Sequence, residues 1–363
     1  MSRASINALE ALAERVEIVN VGSSRWLSAA GSLIAGGAAT EGLFASRRLR
    51  ETIQRWVGET RFDVGIAFCS SMATYLEPLP IAKKFVDLVD VDSEKFLQYA
   101  GQASYFKRKL YALEGRRLRA LEQRIGSVAD RVVLATEPEA EIYRKIAPAA
   151  DVAVVPNGVD LEYFGLTKTP PEPSTCVFTG ALDYRANVEG VTWFADNVWP
   201  EVRRSRPDAV FWIVGRRPTA SVRALGARPG IEVHGDVPDV RTFLERSAVA
   251  VAPLRVARGV QNKVLEAMAF GRPVLASPEA AVGLRVVDGK ELMMAHDPGQ
   301  WGLRLLQLWD DADLAARLRD GARRYVETHH RWERCLAPWS EWLHQLRPSE
   351  RPAIERKAVR ASG

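Results

Sequence analysis

The sequence predicts an α/β protein made of two consecutive domains, each with a parallel sheet. Short β-branched runs alternate with amphipathic helical stretches along most of the chain, which is typical of parallel sheets covered by helices. The length of 363 residues corresponds to two domains at about 150 residues each. The alternation breaks at Pro156-Asn157-Gly158 and again in the Pro- and Thr-rich segment 167–175, so we place the domain boundary there.

Five short apolar runs are the candidate strands of the first half: Val16–Val21, Val64–Phe68, Lys84–Val89, Arg131–Ala135 and Val152–Val155. The longest helical segment lies between the third and fourth of these runs, from about residue 104 to residue 124. Its apolar residues, from Phe106 to Ile125, recur on one face, and lysines and arginines fill the rest. Two interpretations stay open: a solvated outer helix, or a helix that lies on anionic lipid.

The second half repeats the pattern, with candidate strands at 176–179, 209–214, 231–234, 249–252 and 274–276. We therefore expect a first domain over 1–165 and a second over 166–328. A helix over 329–348 should pack back toward the first domain, and the polar, basic tail 349–363 should be disordered. Ligands of open α/β sheets bind beyond the carboxyl ends of the strands, so the expected site is the cleft between the domains.

Composition excludes several classes of protein. With 47% hydrophobic and 26% charged residues, the chain is neither disordered, collagen-like nor a coiled coil. A net charge of +5 suits an anionic small ligand or a membrane surface at least as well as nucleic acid. The three cysteines have no C-x-x-C spacing, which argues against a disulfide framework or zinc site. Without a signal-like leader or a long apolar run, the sequence predicts a soluble, cytoplasmic protein.

The segment 252–277 carries the strongest chemical signal. A strand is followed by Gly259 and by a predicted helix that begins near Asn262 and ends at Gly271. The free N–H groups and positive dipole of such a helix start favour a phosphate group. Lys263 adds a cation, and Arg255 and Arg258 flank the turn, where they could contact a pyrophosphate. Glu266, one turn further on, suits the vicinal hydroxyls of a ribose. The alternative is an ordinary helix start with solvated cations.

A second strand, glycine and helix run through 178–194. Gly180 permits close approach of a ligand, and Arg185 could reach an anion. Arg216 and Arg217 follow the next predicted strand, so three strand ends in this domain carry cations. Each of these arginines is also compatible with a plain solvated position. Nucleic acid is the least favoured partner because the arginines lie at strand ends rather than on one aromatic-rich face.

In the first half, Asp90-Val91-Asp92 follows a strand. This D-x-D pattern holds a divalent cation in metal-dependent sugar-nucleotide transferases. Capping of the next helix by Asp92 or Ser93 is the favoured alternative, and we predict no metal site. The five histidines are not arranged as a metal-binding set.

These motifs together resemble the retaining glycosyltransferases of family 4, which have the GT-B fold of two Rossmann-like domains facing across a cleft. The resemblance rests on PNGVD at 156–160, Thr179-Gly180, and EAMA at 266–269 followed by Gly271-x-Pro273-Val274. VDVDSEK, NGVDLEYF, FTGALDYRANV and RGVQNKVLEAMAFGRPV look more narrowly like sugar transferases of exosortase (PEP-CTERM) and exopolysaccharide gene clusters. The likeness runs from about residue 5 to residue 345.

The resemblance implies site residues by position. Glu266 falls on the second glutamate of the family's paired motif, which holds the donor ribose, and residues Gly259 to Lys263, with Asn262, match the phosphate-binding turn. The first glutamate of the pair is replaced by Arg258, so the usual contact to the transferred sugar is missing. Arg185 and Asn187 occupy the loop that normally carries an arginine and a lysine. The usual histidine of the first domain has no clear counterpart, which leaves Asp90 and Asp92 as candidates.

The start of the chain departs from that family. Its proteins open with a βαβ unit, whereas this sequence begins with what looks like the helix before the third strand, about 50 residues later in the pattern. The missing strand would be central in its sheet. We therefore expect a gap or exposed edge in the first domain and a truncated or wrongly started chain. A central first strand supplied by residues 1–20 would contradict this.

The resemblance implies a hexosyltransferase of exopolysaccharide biosynthesis that uses a nucleotide diphosphate sugar and a lipid-linked or polysaccharide acceptor. It implies no cofactor, since the nucleotide sugar is a substrate and no metal is required, and it places the protein in the cytoplasm, with peripheral contact to the inner membrane face. Lys263, Asp92 and Asp90 are the candidate catalytic residues. Gly180, Arg185, Arg216, Arg255, Arg258, Gly259, Asn262, Lys263 and Glu266 are the candidate donor-binding residues. A nucleotide-sugar epimerase and a non-catalytic nucleotide-sugar-binding scaffold stay open as alternatives.

Overall fold

The computed structural model describes residues 3–22, 25–167 and 169–346. These residues form two α/β units, each with a parallel sheet and helices packed against it. The predicted fold class is therefore confirmed. The segment 349–363, for which the sequence predicts disorder, lies outside the described residues.

The first unit contains, in chain order, α1 (Arg3–Leu12), α2 (Arg25–Ile34), α3 (Ala39–Leu43), α4 (Arg47–Glu59), β1 (Val64–Phe68), α5 (Ser70–Leu76), β2 (Lys83–Val89), α6 (Asp92–Gln102), α7 (Tyr105–Val128), β3 (Arg131–Leu134), α8 (Glu137–Ile146) and β4 (Val152–Val154). Within the described residues, its sheet has the order β1-β2-β3-β4. All neighbouring strands are parallel. The carboxyl ends of all four strands therefore lie on the same side of the sheet, and residues 89–93, at the end of β2, lie there too.

Helix α7 is buried over only part of its predicted apolar face. Leu118, Leu121 and Ile125 are almost fully buried in the core of the first unit. At the other end of the same helix, Phe106 is 84% exposed and Leu110 is 54% exposed. The apolar stripe is thus exposed over the first two turns, because no other element covers them within the described residues, and both interpretations of this helix stay open.

The first sheet has an open edge at β1. Strand β1 pairs only with β2 within the described residues, and Ile66 and Phe68 are 54% and 65% exposed. They line an apolar groove of about 610 Å³ together with side chains of α4 and α5. This exposed edge is the one that the sequence predicts.

The predicted strand Val16–Val21 is wrong. Residues 15–22 have no regular secondary structure, and this segment reaches α4 through ion pairs instead of joining the sheet. Arg48 lies 2.7 Å from Glu17, and Arg15 lies 2.8 Å from Glu59. β-Branched composition alone does not make a strand, because a strand also needs a partner for its backbone groups.

The second unit contains β5 (Thr175–Thr179), α9 (Arg185–Asn197), α10 (Trp199–Ser205), β6 (Val210–Gly215), α11 (Ala220–Leu225), β7 (Ile231–Gly235), α12 (Arg241–Arg246), β8 (Val249–Ala252), α13 (Asn262–Phe270), β9 (Val274–Ala276), α14 (Pro278–Ala281), β10 (Met293–Met294), α15 (Pro298–Asp310), α16 (Ala312–His329), α17 (Trp332–Cys335) and α18 (Ala337–Gln345). Among the described residues the sheet order is β10-β9-β8-β5-β6-β7. Strands β5 and β8 are adjacent, so the helices that follow them, α9 and α13, begin side by side.

In the part of the chain that the structure describes, the linker and the C-terminal helices connect the two units. The N–H of Val159 donates to the carbonyl of His330 at 2.7 Å, which joins the linker to the end of α16. Helix α18 then packs on the first unit, where Trp339 and Trp342 both stack edge-on against Phe85. No helix among the described residues has the length and apolar character needed to span a bilayer.

Candidate functional site

The turn between β8 and α13 brings a helix N-terminus to the cleft. Helix α13 begins at Asn262 and ends at Gly271, which has φ +80° and caps the helix in the left-handed conformation. The start and end are therefore those predicted from the sequence. At the start, the N-cap residue Gln261 gives no side-chain cap to the helix, because its amide donates to the carbonyl of Arg258. The positive end of α13 is thus not neutralised by its own cap.

Lys263 lies at the centre of a small polar cluster at this helix start. Its Nζ donates to Asn187 Oδ1 at 3.1 Å, and Asn187 in turn donates to the carbonyl of Ala181 at 2.8 Å. A Cβ on Gly180 would lie 2.8 Å from Asn187 Nδ2 and 3.2 Å from Lys263 Cε, so a side chain there would displace Asn187 or Lys263. We call Gly180, Asn187 and Lys263 the lysine pocket.

The lysine pocket holds a cation that forms no ion pair within the described residues. Burial lowers the pKa of Lys263 from its ordinary value of 10.5 to about 8, and the nearby Glu266 only partly opposes this effect. The pKa of Glu266 is itself raised by burial. A phosphate placed beside Lys263 would raise this pKa again and stabilise the ammonium charge, so the electrostatics of the pocket favour an anion.

The structure does not gather the predicted arginines around Lys263. Arg255 lies over the ring of Trp193 at 4.9 Å, and Arg216 is exposed after β6. Arg185 pairs with Glu189 at 2.6 Å and lies over Tyr99 of the first unit at 4.4 Å. Arg185 therefore lies at the junction between the units, whereas Arg255 contacts Trp193 in α9.

Two further donor-side residues also contact the first unit or the linker. The exposed Asn262 accepts a hydrogen bond at 2.9 Å from the side-chain amide of Asn157, in the linker. Arg258 crosses the cleft, and its Nη2 lies 2.8 Å from Oε1 of Glu139. Arg258 is therefore engaged by a protein carboxylate in this structure.

Gly259 fits between the two units. Its φ of +63° is in the left-handed region, and a Cβ added to it would lie 1.9 Å from Asp90 Oδ1. Both the backbone conformation and the space therefore require glycine. Asp90 and the α13 turn, predicted separately from two distant motifs, are in direct contact.

Asp90 is presented by a strained turn. The N–H of Asp90 donates to the carbonyl of Leu88 at 2.8 Å, and Val89 between them has φ +65°. A β-branched residue rarely adopts this conformation, which costs about 1–3 kcal/mol and persists only where the surroundings hold it. Two hydrogen bonds hold it here: Asp87 Oδ1 accepts from the N–H of Val89, and the carbonyl of Val89 accepts from Ala135.

Burial raises the pKa of Asp90 and makes it a weaker acid than an exposed aspartic acid. Burial, followed by the negative charge of Glu139, raises its pKa from 3.8 to about 6, whereas Lys95 and Arg258 act in the opposite direction. Its Oδ1 is buried and accepts no hydrogen bond from any described residue. A carboxyl group with these properties is able to exchange a proton near neutral pH.

Asp92 does not point at the cleft with Asp90. Its Oδ2 accepts from Ser70 at 2.7 Å, and its Oδ1 accepts from Lys95. The two carboxylates therefore serve different partners. The alternative of a helix cap is also wrong in detail, because Val91 is the N-cap of α6 without a side-chain bond, and Ser93 binds the buried Glu122.

Sequence reasoning missed Glu139. It lies in the first turn of α8, three residues after the N-cap Thr136, which is an ordinary position for an acidic residue at a helix start. Its Oε2 accepts from the N–H of Val91 at 2.8 Å, while its Oε1 faces Arg258. Only the burial of this carboxylate, which is 4% exposed, marks it as unusual, and the sequence does not show burial.

Comparison with known proteins agrees with this architecture. Residues 173–311 match the family model described as Glycosyl transferases group 1. No curated protein matches the sequence. Because the matched segment contains both the lysine pocket and Glu266, it places the candidate site in a domain similar to those of glycosyltransferases.

Solved structures of the GT-B class share the fold. Sucrose-phosphate synthase from Thermosynechococcus elongatus superimposes with a TM-score of 0.68 at 16% identity, covering 85% of this chain and 78% of that one. HepE from Anabaena, in complex with UDP and glucose, gives 0.63 at 14% identity over 82% and 81% of the two chains. TarM gives 0.62 at 14% identity, and here the chain spans 55% of the longer protein. The protein thus has the GT-B fold of two Rossmann-like domains.

Proposed function

We propose that the protein transfers a sugar from a nucleoside diphosphate donor to a lipid-linked or polysaccharide acceptor. The observation that carries the proposal is the lysine pocket at the start of α13, where a largely buried ammonium group forms no ion pair within the described residues. A diphosphate supplies that anion, and Glu266, one turn further along α13, is placed to accept hydrogen bonds from ribose hydroxyls. The likeness of the fold to HepE, whose structure contains UDP and glucose, supports this choice of donor.

The proposed chemistry follows from the charges in the cleft. The bond between the anomeric carbon and the diphosphate oxygen breaks, and a bond forms between that carbon and the acceptor hydroxyl oxygen. The acceptor proton leaves with the nucleoside diphosphate. Lys263 and the N–H groups of α13 stabilise the negative charge that develops on the leaving group. These groups supply the positive charge that a divalent cation would provide, so the proposal requires no metal ion.

We assign a retaining mechanism and a hexose donor from the resemblance to family 4. In such a reaction the acceptor attacks from the face that the pyrophosphate leaves. Asp90 lies across the cleft from Lys263's helix and has a pKa of about 6, so it is the carboxyl group best placed to contact the reacting sugar. Asp92, which is bound to Ser70 and Lys95, supports the turn and has no direct role in the proposal.

The acceptor side includes a surface suited to a membrane. The first turns of α7 expose Tyr105, Phe106 and Leu110 beside Lys107, Arg108 and Lys109. Apolar side chains flanked by cations are typical of helices that lie in the interface of an anionic bilayer. We propose that these turns hold the protein at the inner membrane face, where a lipid-linked acceptor of exopolysaccharide biosynthesis is found.

Binding measurements test the donor site. We expect a nucleoside diphosphate or its sugar to raise the melting temperature, because a ligand of the folded state stabilises by mass action. Lys263→Ala should remove this stabilisation, whereas Lys290→Ala should not, because Lys290 is exposed and forms a surface ion pair with Glu291. If no nucleotide stabilises the wild type, or if Lys263→Ala binds equally well, the site assignment is wrong.

A further inference from the structure

A buried ion pair crosses the cleft next to the candidate site. Glu139 belongs to α8 of the first unit, and Arg258 belongs to the turn before α13 of the second. Their side chains are only 5% and 9% exposed, and Oε1 of Glu139 lies 2.8 Å from Nη2 of Arg258. Removing one member of such a pair leaves an uncompensated buried charge, which is strongly unfavourable. The pair is therefore able to set how the two units meet.

The same carboxylate also holds the turn that carries Asp90. Oε2 of Glu139 accepts from the N–H of Val91 at 2.8 Å, directly after Asp90. That turn contains Val89 in the left-handed region, and such strain persists only where neighbouring groups hold it. One buried carboxylate thus contacts both halves of the candidate site.

Several polar atoms at this contact form no hydrogen bond with the described residues. They are the buried Asp90 Oδ1 and both Nε and Nη2 of Arg258, so the 2.8 Å contact between Arg258 and Glu139 is an attraction of charges without a hydrogen bond. Buried polar groups without partners oppose the packed arrangement. The contact between Asp90 and Gly259 therefore depends on the charge attraction between Glu139 and Arg258.

We propose that Glu139 is a positioning residue that couples closure of the cleft to the placement of Asp90, with Arg258 as its partner from the donor-side turn. In this chain Arg258 occupies the position where the resemblance places a sugar-binding glutamate. Its guanidinium instead joins the two units, so that the turn with Gly259 meets Asp90 only when the pair is formed. The kinetic part of the test below rests on the proposed function, whereas the structural part does not.

Hydrogen exchange measured by mass spectrometry on the full chain tests the coupling without any substrate. Glu139→Gln keeps an oxygen that accepts from Val91 but loses the charge that attracts Arg258. We expect this variant and Arg258→Gln to exchange about tenfold faster or more in both segments 88–93 and 256–262, which belong to different units. Arg258→Lys should stay close to the wild type, since one nitrogen forms the contact.

The matched control is Asp151→Asn, which breaks an exposed ion pair with Arg131 in the same unit and should leave both segments unchanged. The proposal is overturned if Glu139→Gln accelerates exchange only in 88–93, or in neither segment. Faster exchange only in 88–93 would mean that Glu139 stabilises its own unit alone. Unchanged exchange in both segments would mean that the ion pair does not stabilise the contact between the units.

Steady-state kinetics provide the second readout. We expect Glu139→Gln to lower kcat about 10- to 100-fold and to change the donor KM less than about twofold, because Lys263 and Glu266 are untouched. The double variant with Arg258→Gln should lose no more activity than either single variant, since both remove the same interaction. A raised KM with unchanged kcat, or additive losses, would contradict the proposal. Absence of transfer by the wild type would instead refute the proposed function and leave the exchange result to decide this inference.

The pH dependence of kcat shows whether Glu139 positions Asp90 or only stabilises the fold around it. Asp90 is faced by Glu139 from α8, Lys95 and Asp92 from α6, and Arg258 and Tyr184 from the second unit. The charge of Glu139 raises the pKa of Asp90, so its loss in Glu139→Gln should lower that pKa. The acid limb of kcat, expected near pH 6 in the wild type, should therefore move to lower pH. An acid limb that stays in place would overturn the assignment.

Discussion

Lys263→Met should stabilise the ligand-free protein while destroying its response to nucleotide. Methionine has a similar volume but no charge, so it removes a buried cation from the lysine pocket. The pKa of Lys263 falls from 10.5 to about 8 on burial, and this difference corresponds to roughly 3 kcal/mol that opposes folding at pH 7. Loss of the hydrogen bond to Asn187 offsets about 1 kcal/mol of the gain. The expected net change is thus about 2 kcal/mol in favour of the folded variant.

The sign of the pH dependence follows from the same shift. Between pH 8 and pH 10 the unfolded chain binds more protons at this lysine than the folded chain does, so the free energy of unfolding should rise with pH in that interval. The rise should be smaller in Lys263→Met, which lacks the titrating group. Burial of a cation without its anion is the kind of destabilised arrangement that binding sites retain for function.

Urea unfolding at pH 7, with and without nucleoside diphosphate, measures both effects. The wild type should gain stability with ligand, and the variant should be more stable without ligand but gain nothing from it. Lys290→Met, at an exposed position, is the matched control and should change neither quantity by more than about 0.5 kcal/mol. A ligand-free Lys263→Met protein that is less stable than the wild type would refute the reasoning, because the lysine would then be well solvated or paired.

Three further perturbations address the donor site, the cleft and the membrane surface. Glu266→Ala should weaken donor binding about 10- to 100-fold in calorimetric titration, because hydrogen bonds to a charged group are lost, and unchanged affinity would remove Glu266 from the site. Gly259→Ala should abolish transfer and lower the free energy of unfolding by more than about 1 kcal/mol. The control is Gly289→Ala, because Gly289 also has a positive φ of +80° but open space around it; this variant should lose only the stability that backbone strain costs and should keep its activity. Equal effects of the two substitutions would contradict the close contact at Gly259. Phe106→Ser with Leu110→Ser should reduce cosedimentation with phosphatidylglycerol vesicles severalfold while leaving nucleotide affinity intact, and equal binding of the variant would refute the membrane surface.

The fold and the donor-side turn were predictable because their signals are local. Strand, glycine and helix start follow one another within a few residues at both Gly180 and Gly259, and the adjacency of β5 and β8 then brings Lys263 next to Asn187. These local signals specify the strand, turn and helix at both positions. The sequence also specifies the end of α13 at Gly271, since a left-handed cap suits glycine.

Contacts between the units were not predictable. Arg258 and Glu139 are far apart in the chain, and neither side chain carries a local sign of its partner. An arginine next to a glycine-containing turn looks equally like a phosphate ligand, an exposed side chain or half of an ion pair. Only the packing of α8 against the second unit decides among these outcomes.

The wrong strand shows why local patterns are insufficient. Val16–Val21 has the composition of a strand but pairs with no strand, although the first sheet is open at β1 within the described residues. The stripe on α7 is likewise periodic throughout, yet only its later turns meet the core. A local pattern indicates an element or a face, whereas tertiary packing decides which surfaces other elements cover. The expected exposed edge, which the structure has at β1 within the described residues, came from comparing the order of whole elements with that of the resembled family.

The most direct measurement of the central claim follows the fate of a labelled nucleotide diphosphate sugar in the presence of a lipid-linked acceptor. The account predicts one nucleoside diphosphate released for each sugar transferred, with the anomeric configuration of the product, read by NMR, equal to that of the donor. Conversion of the sugar to an epimer without acceptor would identify an epimerase instead. Tight binding of the donor with no transfer to any acceptor would identify a scaffold, and either result would contradict the account.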